Sequence, residues 1–144
     1  MIKIYNEKHI NSVMQIWKEE NIKSHSFISK EYWENNFDFV KSILPDAEIY
    51  IDEYNNEITG FIGIKENYIE GIFVKSEYQG SGIGTALLNK AKQKHRKLTL
   101  NVYIKNTNAI NFYKKNGFEI ISKNIDEATG EAEYTMLWER KSML

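Results

Sequence analysis

The stretch that most constrains the fold is the run of residues 68–88, YIEGIFVKSEYQGSGIGTALL. Its first part is apolar and rich in β-branched and aromatic residues, which predicts a strand. Three glycines within residues 80–84 follow, and then apolar residues recur at helical spacing. Residues 98–102 alternate again, which predicts a second strand. A strand-helix-strand crossover predicts that these two strands run parallel with a right-handed connection.

The glycine-rich turn has the form of an anion-binding site. Where a strand gives way to a helix, unpaired amides and the helix dipole converge on one point, and glycines let a ligand approach closely. A P-loop would need lysine after Gly84, where Thr85 stands, and the spacing fits a dinucleotide fingerprint poorly. A tight connection that needs glycine only for its geometry is the alternative.

Periodicity and capping residues predict the remaining elements. A short strand at residues 1–5 should lie at a sheet edge, and Asn6 can cap a first helix that ends near residue 21. Ser29 can cap a second helix, which Pro45 should stop. Further strands are predicted at residues 47–52, 57–65, 118–126 and 131–139, and a further helix at residues 108–116 before Gly117.

Size and composition predict a single globular domain over residues 1–144. Hydrophobic residues make up 42% and charged residues 27% of the chain. A formal net charge of -1 offers no basic excess for binding nucleic acid or an anionic membrane. No signal peptide or apolar run of membrane-spanning length is visible, so we expect a cytoplasmic protein. The absence of cysteine excludes disulfides, thiolate metal sites and a cysteine acyl intermediate, and we expect no metal.

Two motifs in the expected order resemble the GNAT superfamily of N-acetyltransferases. Gln79, Gly82 and Gly84 match its Q/R-x-x-G-x-G/A motif, and NTNAINFYKKNGF at residues 106–118 resembles N-x-x-A-x-x-F-Y-x-x-x-G-F. Ser76 departs from the pattern, because many relatives carry proline there. The resemblance implies an α/β (α+β) fold, with a mixed sheet of about seven strands, four helices and splayed parallel central strands.

The same resemblance implies acetyl-CoA as co-substrate. The turn amides would hold its pyrophosphate, and the pantetheine arm would pair with the backbone of residues 72–74, whose side chains we expect in the core. A capping role is the alternative for Asn106. The predicted coenzyme-binding residues are Ile72, Phe73, Val74, Gln79, Gly80, Ser81, Gly82, Ile83, Gly84, Thr85 and Asn106.

Two residues are candidates for proton transfer. The resemblance places Tyr113 beside the leaving sulfur, and its phenol pKa of about 10 exceeds a thiol pKa of about 8.5, so it can act as general acid. Packing beside Phe112 is the alternative role. Glu70 shares a predicted strand face with Ile72 and Val74, where it could accept the amine proton directly or through water. A surface charge is the alternative for Glu70.

The resemblance places acceptor recognition on the first two helices, their connection and the last hairpin. The predicted acceptor-binding residues there are His25, Phe27, Tyr32 and Tyr134, while Trp33 is expected in the core. His25 is also a second candidate for general base, since histidine titrates in the useful pH range. The acceptor is then a small-molecule or peptide amine. The sequence leaves open whether the chain is a monomer or a homodimer.

These observations predict an acetyl-CoA-dependent N-acetyltransferase that acts on a primary amine by direct transfer in a ternary complex. One alternative is a non-catalytic acyl-CoA-binding or regulatory module with the same fold. A generic nucleotide-binding domain is the other.

Overall fold

The computed structural model describes residues 1–141. They form seven strands and four helices, in the predicted order. The elements are β1 (Ile2–Ile4), α1 (Ile10–Ser24), α2 (Lys30–Ile43), β2 (Glu48–Tyr54), β3 (Glu57–Lys65), β4 (Tyr68–Val74), α3 (Ile83–Lys94), β5 (Lys97–Tyr103), α4 (Thr107–Lys115), β6 (Glu119–Ile125) and β7 (Ala132–Glu139). Short 3-10 turns at Glu7–His9, Leu44–Asp46 and Ser76–Tyr78 precede α1, follow α2 and precede α3.

The strands form one mixed sheet in the order β1-β2-β3-β4-β5-β7-β6. The pairing of β4 with β5 is parallel, and the other neighbouring strands pair antiparallel. This confirms the predicted crossover through α3 and the predicted edge position of β1. The two parallel strands are therefore the middle of the sheet.

The parallel strands β4 and β5 meet only at one end. Their register contains the single pair Tyr68 and Thr99, next to a hydrogen bond of 2.9 Å from the Thr99 amide to the Asn67 carbonyl. The pairing of β3 with β4 shifts by one residue, so that Glu70 has no residue opposite it. Such a bulge bends and twists its strand. The predicted splaying of the central strands is confirmed, and the bulge supplies a local reason for it.

Each face of the sheet is covered by two helices and carries its own core. On one face, the fully buried Leu87 and Leu88 of α3 pack with residues of β3, β5 and α4. On the other face, Val13, Met14 and Ile16 of α1 are completely buried against β2 and β3. Burying one such side chain stabilises the fold by about 1.5–3 kcal/mol, so both helix pairs are held firmly on the sheet.

Helix ends follow the predicted caps in part. The Asn6 side chain accepts the Lys8 amide at 3.0 Å, although it caps the 3-10 turn rather than α1 itself. Ser29 occupies the position before α2, but its side chain makes no capping hydrogen bond, so the predicted cap is wrong in that respect. Helix α2 ends before Pro45, and Gly117 closes the segment after α4 with a φ of +90°.

Across residues 1–141, no helix combines the length and the apolar composition that crossing a bilayer requires.

Candidate active site

The connection from β4 to α3 presents a row of free backbone amides. Gly80 and Gly82 have φ values of +80° and +88°, which L-residues adopt only with strain. Within the part of the chain that the structure describes, no amide from residue 80 to residue 85 donates a hydrogen bond, and the first bond of α3 runs from Ala86 to the Gly82 carbonyl. Free donors at a helix start favour a phosphate group.

This turn is held from behind by side chains. Gln79 donates to the Val74 carbonyl at 2.8 Å and to Glu20 of α1 at 3.1 Å. The Ser76 hydroxyl lies 3.2 Å and 3.3 Å from the two Glu20 carboxylate oxygens, and Lys23 donates to Ser76 at 3.1 Å. Ser76, where the family pattern often has proline, is therefore tied to α1.

A cleft of about 790 Å³ runs from this turn into the gap between β4 and β5. It is large enough for an extended ligand, since ordinary ligand sites occupy about 300–1,000 Å³. Among the predicted coenzyme-binding residues, all except Ser81 line it; the hydroxyl of Ser81 instead bonds the Tyr78 carbonyl. The other predicted residues at the cleft are Tyr113, Glu70 and His25.

Tyr113 lies at the wall of the cleft formed by α4. Its side chain is buried, with Phe112 and Phe118 at ring distances of 5.4 Å and 5.6 Å. Burial raises the pKa of Tyr113, and nearby Tyr68 adds to that rise, so the phenol stays protonated over the physiological range. Its hydroxyl has no hydrogen-bond partner among residues 1–141. The geometry leaves this proton available to a ligand in the cleft.

The bulge changes the expected orientation of Glu70. Alternation along β4 predicted that Glu70 shares a face with Ile72 and Val74, but that core face is continued by the buried Ile69. Glu70 is instead exposed at the edge of the cleft. The predicted shared face is wrong, because the extra residue of the bulge breaks the period of two.

His25 lies at the opposite wall in an aromatic environment. Its ring stacks on Trp33 at 5.3 Å and meets Tyr103 edge-on at 5.2 Å. Burial lowers the pKa of His25 to about 4, against a weak opposing effect of the Asn21 carbonyl, so the ring is neutral at pH 7. Its Nε2 lies 3.2 Å from the side-chain amide of Asn106, which we assign as donor to the neutral ring. Its lowered pKa and the engagement of Nε2 by Asn106 make His25 a weak candidate for the general base.

The other predicted acceptor residues divide into two groups. Phe27 and Tyr32 join the His25 environment, since Phe27 lies 5.6 Å from Tyr103 and Tyr32 lies 4.9 Å from Trp33. Trp33 is buried, as predicted. Tyr134 does not join them. It pairs opposite Val102 and packs against the core on the α3 and α4 side of the sheet.

Asn106 connects this aromatic group with α4. Its side-chain oxygen accepts the Ala109 amide at 3.3 Å and so caps the helix that carries Tyr113. The capping alternative from the sequence is thus present, together with a position at the cleft.

Sequence patterns did not identify Glu20 as part of the site. Its position three residues after Trp17 continues the apolar face of α1, where a carboxylate is unusual unless it is partnered. Glu20 is 3% exposed, so the signal was present as a charge on a buried face. Only the folded chain shows that its hydrogen-bond partners, Ser76 and Gln79, lie more than 50 residues away.

In the described part of the chain, no three histidine, aspartate or glutamate side chains come together as metal ligands.

Comparisons with known proteins show similarity in sequence and in fold. Residues 10–118 match the model of the Acetyltransferase (GNAT) family. The peptidyl-lysine N-acetyltransferase YiaC of Escherichia coli is 31% identical over 140 residues, which is 96% of each chain. The solution structure of apo YjaB from E. coli superposes with a TM-score of 0.85 at 24% identity over 98% of each chain. The PaiA N-acetyltransferase of Thermoplasma acidophilum, solved with coenzyme A, gives a TM-score of 0.77 at 21% identity, covering 96% of this chain and 99% of that one.

Proposed function

Because this chain belongs to the GNAT family of acetyltransferases, we propose that it transfers an acetyl group from acetyl-CoA to the side-chain amine of lysine in a peptide or protein. The observation that carries the proposal is the cleft of about 790 Å³ between β4 and β5, with unpaired amides at one end and Tyr113 in its wall. An acyl-transfer site needs a held donor, an open approach for the amine and a proton source, and this cleft offers groups for each.

The donor would lie along the gap between the parallel strands. The amides of residues 80–85 would bind the pyrophosphate, and the backbone of β4 after the bulge would pair with the pantetheine arm. Three described features support this orientation: the anion site is at one end, the strands diverge, and Tyr113 lies farther along the same cleft.

In the proposed reaction, the amine nitrogen attacks the thioester carbonyl, a C–N bond forms and the C–S bond breaks. A backbone amide within residues 72–74 would polarise the carbonyl oxygen. The amine proton would pass to the exposed Glu70 carboxylate through water, and the sulfur would take a proton from Tyr113. The buried, protonated phenol supports the role of Tyr113 as donor.

Two observations support a peptide lysine as acceptor, which approaches as a cation and loses a proton before its nitrogen attacks. YiaC, which is similar over 96% of its length, is a peptidyl-lysine N-acetyltransferase. In addition, two carboxylates lie near the aromatic group. Asp126 accepts a hydrogen bond from Tyr103, and burial, followed by the charge of Asp126, raises the pKa of Glu133. Lys105 at the aromatic group is paired with Glu131 at 3.0 Å, so the carboxylates of Asp126 and Glu133 remain as charges that favour the approach of a cation.

The experiment is a thiol-release assay with acetyl-CoA and matched peptides. One peptide carries a free lysine and a blocked N-terminus, its control carries Nε-acetyl-lysine, and a third has only a free N-terminal amine. We expect thiol release and a mass gain of one acetyl group with the first peptide only. Coenzyme binding without thiol release from any amine would indicate a non-catalytic module. A larger thermal shift with ATP or NAD than with coenzyme A would indicate a nucleotide-binding domain and contradict the proposal.

A further inference from the structure

We propose that residues 20–25, here called the α1 bridge, set the separation of the two cleft walls. Glu20 at one end would position the glycine turn, and His25 at the other end would position the start of α4. Both are positioning residues, since each acts through other groups. This inference rests on the proposed function for its ligand, acetyl-CoA, but its structural part can be tested without any ligand.

The first end of the bridge holds the wall that carries β4 and the turn. Glu20 is almost completely buried, yet its carboxylate lies 3.1 Å from the Gln79 amide and within 3.3 Å of the Ser76 hydroxyl. Gln79 also donates to the carbonyl of Val74, the last residue of β4. One carboxylate therefore connects α1 with the end of the strand and with the residue directly before the glycine turn.

The second end holds the wall that carries β5 and α4. The Nε2 atom of the neutral His25 ring faces the Asn106 side-chain amide at 3.2 Å, and Asn106 caps α4 at Ala109. Contacts with Trp33 and Tyr103 fix the plane of the ring. The Asn106 side chain thus contacts His25 through its nitrogen and caps α4, the helix of Tyr113, through its oxygen. Through this contact the bridge would orient the start of α4.

The two walls of the cleft make few direct contacts with each other, so a connection through α1 would be needed to fix their separation. Strands β4 and β5 share one residue pair at the closed end, and none toward the end where the ligand would lie. Helix α1 is fixed on the sheet by Val13, Met14 and Ile16, which are fully buried. A rigid helix that bonds to one wall, and whose next residue, His25, bonds to the other, can therefore fix the width of the open end.

Two substitutions separate the ends of the bridge. Glu20→Leu removes the carboxylate, whereas Glu20→Gln keeps an oxygen acceptor of the same length. His25→Phe keeps an aromatic ring for the stacking contacts and removes the acceptor for Asn106. Dissociation constants are measured for coenzyme A and for 3′-phosphoadenosine 5′-diphosphate, a fragment that ends at the pyrophosphate.

We expect Glu20→Leu to raise the dissociation constants of both ligands roughly tenfold, because the glycine turn that both ligands contact is no longer held in place. His25→Phe should raise the dissociation constant of coenzyme A by a similar factor and leave that of the fragment unchanged. The reason is that only the pantetheine arm, which the fragment lacks, would contact both walls. Glu20→Gln should stay within about threefold of the unaltered chain. Equal losses for both ligands in His25→Phe, or no loss in Glu20→Leu, would overturn the proposal.

Adding Ser76→Pro to Glu20→Leu provides a rescue test. Ser76 begins a 3-10 turn, Lys75 before it is extended at φ −53° and ψ 141°, and proline fits such a first position. Proline should stiffen the loop by itself and recover most of the lost affinity. Absence of any recovery would contradict a positioning role for Glu20.

Hydrogen exchange of the unliganded chain distinguishes failure of this inference from failure of the proposed function. The hydrogen-bonded amides that flank the turn, at Tyr78, Gln79 and Ala86, should exchange faster in Glu20→Leu. Amides at the start of α4 should exchange faster in His25→Phe. Unchanged exchange in both variants would refute the bridge, whatever binds. The expected exchange pattern in a chain that does not bind coenzyme A would refute the proposed function and support the bridge.

Discussion

At the β4–α3 turn, the groups that face the cleft are backbone amides, whereas at the far end they are the side chains of His25, directly after α1, and Tyr103 of β5, with Trp33 of α2 packed behind His25. The turn depends on a few neighbouring residues whose φ values only glycine accepts readily. The aromatic end depends on residues as far apart as His25 and Asn106. A site built from backbone amides therefore depends on neighbouring residues in the sequence. A site built from side chains depends on how distant residues pack together.

The largest effect is expected for Tyr113, where a substitution should impair catalysis without affecting coenzyme binding at the glycine turn. Tyr113→Phe should lower kcat on the order of 10²-fold, because the leaving sulfur loses its proton donor. Coenzyme affinity and thermal stability should hardly change, since the phenol bonds no other described group. Steady-state kinetics and calorimetry provide both values. Tyr54→Phe, at an exposed position, is the control, and a fully active Tyr113→Phe would remove the assignment.

The aromatic end of the cleft contains a group, His25, whose burial should make the free energy of unfolding depend on pH, whereas the backbone amides of the turn do not titrate. The pKa of His25 is about 6.5 when unfolded and about 4 when folded, so the unfolded chain binds more protons between these values. Stability is then complete above pH 6.5 and falls as the pH drops toward 4. Between pH 7 and pH 5 the loss should be about 2 kcal/mol.

Urea unfolding at both pH values measures this loss, with His25→Phe as the control because it lacks the titrating ring. The difference in unfolding free energy between the two proteins should shrink or reverse on the acid side. Parallel pH profiles would show that the pKa of His25 does not change on folding and would contradict the prediction.

The turn should respond to backbone conformation rather than to side-chain volume. A Cβ at Gly82 would meet no atom within 4 Å, but the φ of +88° strains an L-residue. Gly82→Ala should weaken coenzyme binding about tenfold, since the left-handed conformation costs roughly 1–2 kcal/mol. Gly82→Asn is the matched variant, because asparagine tolerates that conformation better. Equal affinities for Ala and Asn would indicate that the turn relaxes without loss.

The smallest effect is expected at the exposed base candidate. Glu70→Gln should lower kcat/KM about threefold, because water can also accept the amine proton. The pH profile of kcat/KM should change while coenzyme affinity stays the same. An unchanged profile would leave Glu70 with no role in proton transfer.

Patterns along the chain predicted the elements and much of the cleft, for reasons visible in particular residues. The period of two in β5 and the helical spacing around Leu87 arise from local geometry, so they could be recognised without the fold. The bulge at Glu70 could not, because an extra residue in a strand is defined only by the partner opposite it. His25 was similarly ambiguous, since its environment comes from Trp33, Tyr103 and Asn106 together.

The sequence by itself determined the order of strands and helices and the place of the anion-binding turn, because glycine positions and hydrophobic periods act over a few residues. Tertiary structure alone decided that Glu20 contacts that turn, that His25 is neutral and faces Asn106, and that Tyr134 lies on the other face of the sheet. Burial and hydrogen bonding between distant residues exist only once the layers pack. A carboxylate or an imidazole in the sequence therefore has no fixed role until its surroundings are formed.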